Sequence, residues 1–78
     1  MTTVRIGASH AMNIQEVLDW LHTNAGEFHR RHSNSSYTTT HYYGEGWEGR
    51  WRQFGAGWFM DVTFDDPKHA AFFTLRWK

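Results

Sequence analysis

Twice between residues 43 and 58 the chain reads aromatic, Gly, any residue, Gly, Trp: Tyr43-Gly44-Glu45-Gly46-Trp47 and then Phe54-Gly55-Ala56-Gly57-Trp58. Glycines in this arrangement supply the positive φ that tight hairpins need, and the rings on either side favour strands. The repeat therefore predicts two consecutive hairpins. Four extended stretches, residues 37–43, 47–54, 58–64 and 70–77, are rich in aromatics, Thr and Val, and Asp65, Asp66, Pro67 and Lys68 read as a third turn before the last of them. A four-stranded antiparallel meander over residues 37–77 is the expectation.

Ahead of the meander the period changes. Asn13 is a good N-cap, Glu16 stands where a capping-box partner would, and Met12 and Val17 are spaced as a hydrophobic staple. Ile14, Val17, Leu18, Leu21, Ala25 and Phe28 then form one apolar stripe at helical spacing. Gly26 weakens the last turns, so the helix either ends near it or runs on to about Arg31, where Arg30, Arg31 and His32 suit the negative end of a helix dipole; residues 13–31 are taken as its full span. Ser33 and residues 34–36 read as a polar linker. Val4 and Ile6 alternate with Thr3 and Arg5, which makes residues 1–11 either a short edge strand or a loose arm. The predicted fold class is α+β: one N-terminal amphipathic helix packed on a four-stranded antiparallel β-meander, in a single domain.

Composition decides how such a fold is held together. A chain of 78 residues with no cysteine has no disulfide to support a small core, so the five Trp, three Tyr and six Phe must supply it. Without cysteine, thiol redox chemistry and thiolate metal sites are also excluded. Eight Lys+Arg against eight Asp+Glu give a formal charge of zero, so no global field attracts phosphate or an anionic membrane, and any nucleic-acid site must be a local patch. The chain has neither an apolar run of membrane-spanning length nor a signal-peptide pattern at its start, and a cytoplasmic location is expected.

Strand parity sorts the meander into two faces. Trp58, Met60, Val62 and Phe64 share one face of the third predicted strand, and Ala71, Phe73, Leu75 and Trp77 share one face of the fourth; these are expected to meet the helix. A two-residue second turn adds Trp47 and Trp51 to them. It leaves Glu48, Arg50, Arg52, Phe54, Phe59, Asp61, Thr63, Phe72, Thr74 and Arg76 on the opposite side. For the first predicted strand the length of its turn decides between Tyr42 outward and the set Tyr37, His41 and Tyr43 outward; the second arrangement is the one adopted.

That outer face is the main functional candidate. Aromatic and Arg side chains together are enriched at protein contact sites, and zero net charge favours a protein partner. The expected contact residues are Tyr37, Tyr43, Arg50, Arg52, Phe59, Phe72 and Arg76, in a non-enzymatic inhibitor or accessory factor, a size class that includes phage and mobile-element proteins. Single-stranded nucleic acid is the alternative, with bases on the rings and Arg on phosphate. Self-association would cover the same half-aromatic surface. A plain solvated face with cross-strand ion pairs explains the composition equally well.

Two weaker constellations complete the reading. His41 and Glu48 as acid and base, with Arg50 or Arg52 on phosphate, would make a metal-independent ribonuclease. His22, Glu27, His29 and His32 cluster near the predicted helix end, but no zinc-site spacing relates them, so neither a metal site nor any other cofactor is assigned. Both Gly-x-Gly segments lead into Trp and not into a helix N-terminus with Lys and Ser/Thr, which excludes a phosphate loop.

Overall fold

The computed structural model describes residues 1–7, 13–33, 39–54 and 57–77, with Phe54 described in its backbone only. Tyr37, the staple residue Met12, linker residues 34–36 and the second-turn residues Gly55 and Ala56 lie outside the described residues. The architecture is α+β, with five antiparallel strands and two helices: β1 (Thr2–Ile6), α1 (Ile14–Asn24), β2 (Phe28–Ser33), β3 (Thr39–Gly44), β4 (Trp47–Phe54), β5 (Gly57–Phe64) and α2 (Pro67–Trp77). The strand order is β1-β5-β4-β3-β2, so β2 to β5 form a meander and β1 closes it on the far side of β5. Helix α1 joins the two edge strands.

Both hairpins predicted from the glycine repeat are present. Gly44 pairs with Trp47 and Phe54 with Gly57, leaving two residues in each turn. In the first turn Gly46 has φ of 78°, a conformation that favours glycine. Gly44 has a different reason to lack a side chain, because the Trp47 indole lies where a Cβ would stand, 2.2 Å from it.

Both helices pack on one face of the sheet. Val17 and Leu21 of α1 and Ala70, Phe73 and Trp77 of α2 join Val4, Ile6, Tyr42, Trp47, Met60, Val62 and Phe64 in one buried cluster. Its centre is a set of tilted and edge-on ring pairs. Phe73 meets Phe64 at 5.4 Å and Trp77 at 5.1 Å, and Trp20 of α1 meets Phe73 at 5.7 Å and Trp77 at 5.5 Å. Such geometries bring ring edges to ring faces, which adds to the burial itself. Trp20 lies off the predicted apolar stripe, yet it is the ring that ties the two helices together.

Three expectations are corrected. First, the helix does not open the fold, and of its two expected ends the one near Gly26 is found, not the one at residue 31. Strand β1 precedes it, and α1 ends at Asn24, where the N–H groups of Ala25 and Gly26 both donate to the Leu21 carbonyl. Gly26 then passes so close to the β3–β4 turn that a Cβ on it would stand 1.8 Å from the Glu45 carbonyl oxygen. The Trp47 indole N–H donates to the Gly26 carbonyl at 2.7 Å, and Phe28 begins β2 instead of a further helical turn.

Second, residues 70–77 are helical, not a fourth meander strand. The Asp66 side chain accepts a hydrogen bond from the Lys68 N–H at 2.9 Å, and Pro67 occupies the first helical position, where its missing N–H costs nothing. The buried set is Ala70, Phe73 and Trp77, at helical spacing, whereas Leu75 is 82% exposed. Third, the sheet has five strands and not four: of the two alternatives for residues 1–11 the edge strand is found, as β1, and β2 stands where the longer helix end was expected. At α1 itself no side-chain cap bond forms at Asn13; Glu16 instead pairs with Arg76 of α2.

Candidate macromolecule-binding face

With both helices on one side, the other side of the sheet has no element packed on it among the described residues. Registers align its side chains in three rows that run across the strands. One row reads Arg5, Asp61, Arg50, His41, His32, and the next Thr3, Thr63, Glu48, Tyr43, Arg30. The third holds Phe59, Arg52 and Thr39. Parity of the two-residue turns puts His41 and Tyr43 here and buries Tyr42 on the helix side. Among the expected contact residues, Tyr43, Arg50, Arg52 and Phe59 therefore share this face.

Phe72 and Arg76 do not. They belong to α2 on the opposite side of the sheet, where Phe72 is 57% exposed and Arg76 is held by Glu16 and lies over the Trp77 ring at 4.5 Å. Their displacement follows directly from helix replacing strand. Arg5, Arg30 and His32, which the expected site omitted, take their place on the uncovered face. For Arg5 the signal was present, since Thr3 and Arg5 alternate with Val4 and Ile6. The residues 28–33 carry no such alternation, so Arg30 and His32 gave none.

The local charge differs from the global one. Four Arg, namely Arg5, Arg30, Arg50 and Arg52, share the face with two carboxylates, Asp61 and Glu48. Asp61 is committed to Arg5 through a forked pair at 2.8 and 3.2 Å, and this bond with the attendant charge attraction holds the Arg5 guanidinium above its usual pKa. Arg30, Arg50 and Arg52 make no ion pair among the described residues. The rings are already faced by cations, with Arg5 over Phe59 at 4.1 Å and Arg30 over Tyr43 at 4.8 Å. Met1, Thr3, Thr63, Glu48, Arg50 and Asp61 surround a hollow of about 280 Å³ over β1, β5 and β4, toward the β1 edge of the face.

The other constellations look different in three dimensions. His41 Nδ1 stands 3.8 Å from a Glu48 carboxylate oxygen, too long for a hydrogen bond but too close for a phosphodiester to lie between acid and base. The histidines meant for a metal are dispersed. His22 Nδ1 accepts the Phe28 N–H at 2.9 Å, His29 sits at a register irregularity of β2 near Glu45, and His32 is on the uncovered face. No group of three His, Cys, Asp or Glu suited to a metal occurs among the described residues.

These features define a small α+β chain whose antiparallel sheet is covered on one side only among the described residues. Comparisons with protein-family models, with curated proteins and with solved structures find no match to it. Among the described residues no helix is long and apolar enough to cross a membrane.

Proposed function

We propose that the protein is a small non-enzymatic binding module that lays its uncovered sheet face on an acidic surface of another protein, as an inhibitor or accessory factor does. The observation that carries this reading is the set Arg30, Arg50 and Arg52, three cations without carboxylate partners among the described residues, on a face that neither helix covers. Guanidinium groups beside half-buried rings are the chemistry of contact hot spots. A partner's carboxylates would find Arg50 and Arg52 uncommitted, with Tyr43 and Phe59 beside them.

The local excess of Arg also favours a second reading, single-stranded nucleic acid on the same face. Against it, the rings of Tyr43 and Phe59 already have guanidinium groups over them, so a base must displace Arg30 or Arg5 before it can stack. The two readings separate in one experiment. Tagged wild-type protein and the Arg50→Glu/Arg52→Glu variant are used for affinity capture from host lysate, with and without nuclease. A stoichiometric protein that survives nuclease and is lost in the variant supports the first reading. Loss on nuclease treatment, with an affinity that falls steeply with salt, supports the second. Capture unchanged in the variant removes the face from both.

A further inference from the structure

The other side of the molecule holds a second feature, at the β2 edge. Among the described residues β2 has a neighbour on one side only, β3. At its start the Phe28 N–H is taken by His22, and beyond that no described strand pairs with its remaining edge, which leaves a template for another strand. Beside that edge, between β2 and α1, lies a hollow of about 410 Å³, within the range of about 300–1,000 Å³ typical of ligand sites. Ile14, Leu18, Phe28 and Tyr42 give it an apolar floor, and Arg31 stands at its rim.

We propose that the β2 edge and this hollow together dock an extended peptide in which apolar and acidic side chains alternate. The argument is one of period and charge. A strand added beside β2 projects successive side chains to opposite faces of the sheet. One set falls on the helix side, at the hollow. The other set falls on the uncovered side, beside Arg30 and His32, which share that face of β2. Carboxylates in this second set meet cations, and apolar groups in the first set leave water for Ile14, Leu18 and Phe28.

The same charges disfavour a second copy of the chain as occupant. Pairing β2 with another β2 would bring Arg30 and Arg31 against their equivalents, and like charges across strands repel. The rim is not uniformly cationic, since Asp19 also lines it. Its carboxylate, however, accepts the Gln15 amide at 2.9 Å, while Arg31 has no carboxylate partner among the described residues.

The test is a nuclear magnetic resonance titration of the labelled full chain, at low salt, with the peptide acetyl-Glu-Val-Glu-Leu-Glu-Val-Glu-amide. Two control peptides carry Lys in place of Glu, or Pro in place of the central Leu. The expected result is shift changes at β2 amides and at Ile14, Leu18 and His22, with slowed amide exchange along β2. Affinity should fall on the order of tenfold in Arg30→Glu/Arg31→Glu. Both residues are exposed, and a thermal melt verifies that the variant folds. Shifts confined to β4 and β5, an affinity unchanged in the variant, or equal binding by the Pro or the Lys peptide would each overturn the proposal. Arg30 belongs to both sites, but the capture experiment turns on Arg50 and Arg52, which lie away from the β2 edge, so failure of the peptide titration and failure of the reading of the uncovered face are told apart.

Discussion

The two faces of the sheet use the same strands and the same kinds of residue to opposite ends. On the helix side Trp47, Met60, Val62 and Phe64 are buried and Phe73 and Trp77 close over them; on the other side Arg5, Phe59, Asp61, His41 and Glu48 lean on one another and remain partly in water. At the centre of the first side rings meet rings, with a guanidinium only at its margin, where Arg76 lies over Trp77; on the second side Phe59 and Tyr43 have guanidinium groups over them, and Tyr43 also stacks on the His41 imidazole. The contrast shows that aromatic content alone does not locate a core. What the ring touches does.

Substitutions on the helix side should give the largest effects. Phe73→Ala removes the ring at the centre of the cluster and should cost about 3–5 kcal/mol, read as a lower urea midpoint with an unchanged slope. A cost as small as that of a surface change would mean that α2 does not seal the core. Next comes Gly26→Ala, which forces a methyl against the Glu45 carbonyl and should cost about 1–3 kcal/mol, more than an ordinary exposed glycine change. Trp47→Phe keeps most of the ring but orphans the Gly26 carbonyl, with an expected loss of about 1–3 kcal/mol by the same measurement.

A pH experiment sharpens the same contrast. Burial pushes the Tyr42 phenol above its ordinary value, against a smaller opposing pull from the Arg31 cation. A raised acid pKa means that the folded state holds its proton more tightly than the unfolded state does. Stability is therefore unaffected below the unfolded value near pH 10 and declines as pH rises through and beyond it. Tyr42→Phe should remove that part of the alkaline decline. The same decline persisting in full in the variant would show that Tyr42 is not its source.

The smallest effects belong to the uncovered face. A double-mutant cycle on Arg5 and Asp61 should give a coupling far smaller than any effect on the helix side, since Arg5 is largely exposed and water screens the pair. Arg50→Ala should change stability by no more than about 0.5 kcal/mol. A loss comparable to that of Phe73→Ala would mean that this face is covered in the native protein, and the distinction between the faces would collapse.

How much of this was legible follows from where each signal lies. The glycine repeat and the period-two rings of residues 47–64 announced β4, β5 and both turns, because there local chemistry and tertiary position agree. Strand β2 was hidden because an edge strand exposed on both faces has no apolar alternation to show, and His and Arg are as acceptable in a helix end as in such a strand. Helix α2 imitates a strand in the sequence because Ala71, Phe73, Leu75 and Trp77 alternate by accident of spacing, although Ala70, Phe73 and Trp77 fit a helix as well and Asp66-Pro67 is a helix start. The site inherited these errors. Tyr43, Arg50, Arg52 and Phe59 were placed on one face by parity within the meander, whereas Phe72 and Arg76 fell away with the lost strand.

The pairing of β1 has a consequence for how the chain is made. Val4 stands opposite Val62 and Ile6 opposite Met60, so the strand synthesised before α1 has no place in the sheet until β5 has left the ribosome. The meander β2 to β5 joins strands that are neighbours in the chain and closes over short loops, whereas seating β1 requires a loop spanning nearly everything in between. During translation Val4 and Ile6 therefore remain exposed to solvent and to chaperones until their partners emerge. The order of synthesis makes the docking of this first strand a late event, which completes the apolar layer under α2.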